Sequence, residues 1–136
     1  MELRRCDHAP ALNTLVAAAL VLATTTLMLV TFTTARAAGV IAAGTCGAYG
    51  QAYDSPSIDA ARKSALASCK GEKCKVVTQV RHGCAALAID GTDPCGARGS
   101  ASGNKLGQAQ NEALRACYKA GGKDCVIRTF LCDAKG

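Results

Sequence analysis

An internal repeat is the feature that most constrains the fold of this chain. Ser57–Cys69 (SIDAARKSALASC) returns as Lys105–Cys117 (KLGQAQNEALRAC), with alanine, leucine and cysteine at matching positions. In both copies these residues recur three and four positions apart, which places them on one face of a helix. The chain is therefore expected to build two similar units, each around a helix with a narrow apolar face.

The repeat extends to both sides of the helix. Cys46–Tyr53 (CGAYGQAY) returns as Cys95–Ser102 (CGARGSAS), and each copy has the alternation of a short strand. β-Branched residues predict further strands at Cys74–Arg81 (CKVVTQVR) and Cys125–Cys132 (CVIRTFLC), and Cys84–Ile89 (CAALAI) is apolar enough for a buried strand. The sequence thus predicts an α+β fold. Two tandem β-α-β repeats, with one extra strand after the first, would form a small sheet with helices on one face.

Residues 1–37 have the pattern of an export signal. Two arginines near the start precede an uncharged and largely apolar stretch from Leu15 to Phe32. Ala35 and Ala37 are small residues at the two positions that a signal peptidase reads, which predicts cleavage before Ala38. The protein is therefore expected to be exported, either to the periplasm or to the extracellular space.

The remaining chain has the length of one domain. If the signal is not cleaved, residues 15–34 would instead anchor the chain in a membrane, and this is the only membrane contact that the sequence suggests. Residues 38–45 are small, apolar and featureless, and they are expected to form a loose lead-in. Residues 46–136 are then predicted to form a single two-repeat domain.

Cysteine is expected to supply stability that the core cannot. Aromatic residues make up 4% of the chain and tryptophan is absent, so burial of large apolar side chains contributes little. Of the nine cysteines, Cys6 lies within the signal. An even number in an exported chain predicts a disulfide framework. The eight remaining cysteines are Cys46, Cys69, Cys74, Cys84, Cys95, Cys117, Cys125 and Cys132.

Composition and spacing argue against several classes of function. The net charge of +6 is moderate, and the charges are scattered rather than arranged in a basic stripe with aromatics, so nucleic acid is not an expected partner. No pair of cysteines has the C-x-x-C spacing of a zinc or redox site, so no metal or other cofactor is predicted. His82 is followed by glycine, and a tight turn accounts for it without a catalytic role.

Two tyrosines form the one candidate recognition feature of the sequence. Tyr49 and Tyr53 fall on the same face of the first predicted strand. Packing beneath the first helix is one interpretation of this pair. The other is an exposed surface that binds a ligand, because tyrosine is enriched where proteins meet.

Several phrases of the sequence resemble a known bacterial family. The helix segment Ala60–Cys69 (AARKSALASC) is followed by Cys74–Val77 (CKVV) and Gly83–Ala88 (GCAALA). A second pair follows at Ala113–Cys117 (ALRAC) and Cys125–Arg128 (CVIR). With these motifs the chain is similar to the family catalogued as domain of unknown function 4189, whose members are typically short exported proteins with paired repeats.

The resemblance covers almost the whole chain after the predicted signal, from about Ala48 to Cys132. It implies no enzyme activity and supplies no catalytic residues. This chain departs from the family pattern by its additional Cys46 and Cys95 and by lacking the tryptophans that are common in the glycine-rich strands. If those tryptophans form a binding surface in relatives, this chain lacks it.

The repeat also limits how the eight cysteines pair. Cys69 ends a predicted helix and Cys74 opens the next strand, which predicts that these two are joined. The repeat then predicts the equivalent pair, Cys117 with Cys125. For the other four cysteines, symmetry favours Cys46–Cys84 with Cys95–Cys132. The rival pairing, which would staple the two halves together, is Cys46–Cys95 with Cys84–Cys132.

The leading interpretation of function is a binding module. It would recognise an envelope or extracellular macromolecule, most naturally a protein, through a rigid surface. One alternative is a small structural protein of the envelope, and another is a hydrolase that acts on envelope polymers. Because the sequence contains no recognisable catalytic constellation, the chain is not expected to be an enzyme.

Overall fold

The computed structural model describes residues 38–133. The predicted signal, its cleavage before Ala38 and the alternative anchor at residues 15–34 lie outside the described residues, and all three stay predictions.

The described chain contains six strands and two helices in two similar halves. Each half has the order β-β-α-β, and each forms its own antiparallel three-stranded sheet. The first half contains β1 (Ala38–Ala43), β2 (Tyr49–Ser55), α1 (Ile58–Ser68) and β3 (Lys75–Val80). The second half contains β4 (Cys84–Asp90), β5 (Arg98–Gly103), α2 (Leu106–Lys119) and β6 (Cys125–Cys132). The strands of the two sheets are ordered β2-β1-β3 and β5-β4-β6.

The prediction of a loose lead-in at residues 38–45 is wrong. Ala38–Ala43 forms β1, the central strand of the first sheet, and every residue in it is buried. A strand that is covered on both faces has no alternation of apolar and polar residues, so a short run of Ala, Gly, Val and Ile gives no clear signal of a strand. The strand at 84–89, which was predicted as an addition to the two repeats, is β4. It is the central strand of the second sheet and the equivalent of β1.

The two central strands explain how the layers stack. In β1, Val40 and Ala42 pack with the alanines of α1, whereas Ile41 joins a cluster with Leu87 of β4. The other face of β4 packs in the same way through Ala86 against α2. Each sheet therefore carries one helix on its outer face and contacts the other sheet through its inner face. The predicted α+β class is confirmed, but the strands form two facing sheets rather than one.

The chain passes from the first sheet to the second at a tight turn. Two strands that are joined by a tight turn commonly pair with each other as a hairpin. Instead β3 pairs with β1, and β4 pairs with β5 and β6. Between them, His82 and Gly83 both adopt positive φ, at 61° and 158°. This turn is what the His-Gly sequence predicts, but it links two sheets.

Both predicted helices are present, and glycines let them approach their sheets closely. Ser57 caps α1 by accepting a hydrogen bond from the backbone N–H of Ala60. A Cβ atom added to Gly50 of β2 would overlap the backbone of α1, and one added to Gly99 of β5 would overlap the backbone of α2. The small alanine face read from the sequence therefore meets a glycine in each sheet.

Candidate functional site

Two of the four disulfides follow the prediction from the repeat. Cys69–Cys74 links the end of α1 to the start of β3, across a sequence separation of 5. Cys117–Cys125 does the same for α2 and β6, across a separation of 8. Each bond holds a helix end against the edge strand that follows it.

The favoured pairing of the other four cysteines is wrong, and the rival pairing is present. Cys46 is bonded to Cys95, and Cys84 is bonded to Cys132. The favoured scheme treated Cys84 and Cys132 as equivalent by symmetry. In the structure Cys84 begins the central strand β4 and lies directly opposite Cys132 in the ladder with β6. The Cys46–Cys95 bond joins equivalent loops and so links the two halves.

The two tyrosines singled out from the sequence have different surroundings. Gly50 and Ala52 of β2 are buried on the helix side, so Tyr49 does not pack beneath α1. It borders the cluster between the sheets, and the guanidinium of Arg128 lies 5.3 Å from the centre of its ring. Tyr53 is 58% exposed. Only Tyr53 is thus freely presented to solvent, and a binding role for either residue stays a prediction.

Polar contacts place the edge strands β2 and β6 beside one another. The Nε–H of Arg128 donates to the carbonyl oxygen of Gly47 over 3.3 Å. The hydroxyl of Thr129 donates to the side-chain carbonyl oxygen of Gln51 over 2.6 Å. Because each strand lies at an edge of its own sheet, these contacts bring two open edges to the same side of the molecule.

We call this region the β2–β6 side and define it by Tyr49, Tyr53, Val126, Arg128 and Phe130. Three of these are exposed large apolar residues: Tyr53 at 58%, Phe130 at 49% and Val126 at 44%. The sequence predicted the strand that carries Val126 and Phe130 but gave no reason to expect them at the surface. Both alternating sets of residues in CVIRTFLC contain large apolar side chains, so only the position of β6 at a sheet edge decides which ones are exposed.

His82 and Asp133 belong to the turn between the sheets. The backbone N–H groups of His82 and Gly83 both donate to the Asp133 carboxylate, the second over 3.3 Å. The backbone N–H of Asp133 donates in return to the carbonyl oxygen of Gly83 over 2.9 Å. Asp133 is buried, and through these bonds its carboxylate supports the turn.

Asp90 is the second buried acid for which the structure gives a clear role. One carboxylate oxygen accepts from the backbone and hydroxyl of Thr92, over 2.9 and 2.7 Å, and from the backbone of Asp93. The other accepts from the backbone N–H of Lys123 over 2.8 Å. These bonds, that from Lys123 foremost, hold the pKa of Asp90 well below its ordinary value. The Asp-Gly-Thr-Asp sequence signals a turn, but it cannot reveal the distant Lys123.

Among residues 38–133, the structure has no group of three or more His, Cys, Asp or Glu residues that could hold a metal ion. Within the same range, neither helix has both the length and the apolar character that are required to cross a bilayer.

Comparison with known protein families identifies a family that matches this chain. The family described as Domain of unknown function (DUF4189) matches residues 38–132, which is more than half of the chain. The chain belongs to this family. The match begins at the first residue of β1 and ends at the last residue of β6, so it spans both halves of the fold. The DUF4189 resemblance noted from the sequence motifs is therefore confirmed.

A solved structure shares the fold. The chain is similar to a protein of Mycobacterium tuberculosis, described as "NMR structure of Rv1813c from Mycobacterium tuberculosis", with a TM-score of 0.52 and 23% sequence identity. The similarity covers 71% of this chain and 75% of the other. At this identity the comparison concerns the fold alone. A comparison with proteins of curated function gave no match.

Proposed function

We propose that this DUF4189 protein is an exported binding module that recognises another protein through the β2–β6 side. The observation that carries the proposal is the exposure of Tyr53, Val126 and Phe130 on two adjacent edge strands. Aromatic residues and arginine are enriched in protein interfaces, and Arg128 lies in the same region. This combination supports contact with a macromolecule more than with a small polar ligand.

The disulfide framework supports binding by a preformed surface. Cys46–Cys95 fixes the two halves relative to each other near Tyr49, and Cys84–Cys132 fixes the end of β6 to the central strand. A surface that is rigid before binding loses less conformational entropy when the partner arrives. Disulfides of this kind persist in oxidising compartments, which is consistent with the predicted export signal.

The proposal does not include catalysis. The buried carboxylates of Asp90 and Asp133 both accept backbone hydrogen bonds that hold loops in place. These bonds give both carboxylates a role in the fold. His82 lies in the turn that Asp133 supports, where its backbone conformation accounts for its position.

Affinity capture tests this function. The oxidised protein, made by secretory expression so that its disulfides form, is immobilised and exposed to envelope and medium extracts of its host, with a reduced and alkylated copy as control. We expect a protein partner to be retained by the oxidised form alone. Tyr53→Lys should weaken that capture, whereas Leu66→Lys, an exposed position on α1, should not. Equal capture by oxidised and reduced copies would contradict the proposal.

A further inference from the structure

The strand β6 presents an open edge with an unusual set of side chains. It lies at the end of the order β5-β4-β6 and, among the strands that the structure describes, pairs with β4 alone. Its exposed residues are Val126, Arg128 and Phe130, while Cys125, Thr129 and Leu131 are buried. An exposed edge strand with apolar side chains is a template for pairing with another strand.

The first half of the molecule provides an internal reference for this edge. The same irregularity in strand register falls between Ile41 and Ala42 in β1 and between Leu87 and Ala88 in β4. This shared irregularity shows which residues of β3 and β6 occupy equivalent positions. Val40 pairs with Gln79, as Ala86 does with Phe130, and Ala43 pairs with Lys75, as Ile89 does with Val126.

The equivalent edge is protected where β6 is not. Lys75 of β3 occupies the position of Val126, and lysine is a residue that discourages pairing at sheet edges. Gln79 occupies the position of Phe130, and its side-chain oxygen accepts two hydrogen bonds from Arg62 of α1, over 3.2 and 2.8 Å. Two topologically equal edges thus differ in their exposed side chains, because β6 exposes Val and Phe where β3 exposes Lys and Gln.

We propose that β6 binds an extended segment of a partner protein as an added strand, with an acidic residue of that segment facing Arg128 and apolar residues facing Val126 on one face of the sheet and Phe130 on the other. This inference rests on the proposed binding function and names its recognition mode. Backbone hydrogen bonds supply affinity in such complexes, and side chains supply specificity. Arginine suits a carboxylate because its guanidinium presents five N–H donors, and the bond to Gly47 occupies Nε–H alone.

The charge of Arg128 decides between a partner and a second copy of this chain. If two copies of β6 paired antiparallel about a twofold axis at Arg128, this residue would lie opposite the Arg128 of the other copy. Like charges directly opposite one another destabilise a strand pair. A segment with a carboxylate at that point, flanked by apolar residues, removes the repulsion and complements the edge.

Peptide titration followed by NMR tests the inference. The probe is a synthetic peptide of about eight residues that carries Val on both faces of an extended strand around one central Glu, added to the ¹⁵N-labelled, oxidised protein. We expect amide shifts concentrated in Cys125–Cys132, with Lys75–Val80 unaffected as the internal reference. A peptide with Lys in place of Glu should bind about two- to fivefold more weakly, as expected for one exposed ion pair. Shifts spread evenly over both edges, or no binding, would overturn the inference.

Two variants make the test specific. The double variant Val126→Lys/Phe130→Gln gives β6 the residues that the equivalent strand β3 already accommodates, so it should fold and lose peptide binding. Arg128→Glu should reverse the preference, so that the Lys peptide binds more tightly than the Glu peptide. An unchanged preference in Arg128→Glu would refute the assigned role of the arginine. The dispersion of amide signals verifies folding in each case.

The outcomes separate this inference from the proposed function. If Val126→Lys/Phe130→Gln loses peptide binding yet captures the same protein from extracts, added-strand recognition of that partner is refuted and the binding function stands. If the peptide binds β6 but the oxidised protein captures no partner, the proposed function is refuted. The capacity of the β6 edge to bind an added strand is then still supported. A concentration-dependent dimer in sedimentation that the double variant abolishes would identify the occupant as a second copy and overturn the inference.

Discussion

Cys84 and Cys132 lie directly opposite one another, at the first residue of β4 and the last residue of β6, and a disulfide joins them. In the first half no cysteines connect the central strand to the edge strand, since β1 and β3 contain none. The extra bond therefore reinforces the very edge that carries Phe130. It closes a sequence separation of 48, against 5 for Cys69–Cys74.

This difference in separation predicts unequal costs when each disulfide is removed. Chain-entropy arguments assign about 4 kcal/mol to the longer loop and about 2 kcal/mol to the shorter one. The variant Cys84→Ala/Cys132→Ala should therefore lose more unfolding free energy than Cys69→Ala/Cys74→Ala. Urea denaturation of the two oxidised variants beside the unmodified chain measures both losses. A larger loss for the short loop would contradict the entropic account.

A second prediction concerns acid and Asp90. Its hydrogen bonds hold its pKa below the ordinary value of 3.8, so the folded chain keeps the carboxylate charged at a pH where the unfolded chain binds a proton. The stabilisation is thus fully present at neutral pH, starts to decline near pH 4, and is lost as the pH falls through the folded pKa. Asp90→Asn should be less stable than the unmodified chain at pH 7.

The measurement for Asp90 is denaturant unfolding at pH 7 and at about pH 2.5. The stability gap between the unmodified chain and Asp90→Asn should narrow in acid, because the carboxylate then begins to lose its advantage. Asp59→Asn serves as the matched control, since Asp59 is solvent-exposed on the first turn of α1. A gap of equal size at both pH values would contradict the assignment.

The third prediction concerns the contact between Gly99 and α2. A Cβ at this position would overlap the backbone of Ala113, Ala116 and Cys117, which cannot move away as a flexible side chain could. Gly99→Ala should therefore destabilise the fold by about 1–3 kcal/mol, the usual cost of overpacking. Gly107→Ala is the control, because a Cβ there meets nothing within 4 Å and alanine favours the helix. Thermal unfolding of both variants should give shifts of opposite sign.

The helices and the two-repeat plan could be predicted because their signals are local. Ala61, Ala65 and their equivalents recur at helical spacing, and Cys69 and Cys74 are too close in sequence to leave many choices. The central strand β1 could not be recognised, because a strand buried on both faces has no polar alternation. The error carried over to the cysteines, since only the placement of β4 at the centre of a sheet puts Cys84 beside Cys132.

The candidate surface was predicted in part. Tyr53 is identifiable from the sequence as a large side chain on a weak strand, and it is exposed. Tyr49 has the same signal but lies against Arg128, a residue distant in sequence. Val126 and Phe130 have no distinguishing signal, because their exposure depends on which strand of the sheet lies at the edge. Long-range pairing, not local propensity, decides these features.

The last prediction transfers the open edge from one half of the molecule to the other. Lys75→Val/Gln79→Phe should give β3 the exposed side chains of β6 and release Arg62 from its hydrogen bonds with Gln79. Because the two strands occupy equivalent places, β3 should then bind the Glu peptide as well, more weakly since it has Val77 where β6 has Arg128. New amide shifts in Lys75–Val80 would be the expected result. Unchanged β3 signals in a well-folded double variant would show that the two exposed apolar residues are not sufficient to make an edge receptive, and that Arg128 or its contact with Tyr49 is required.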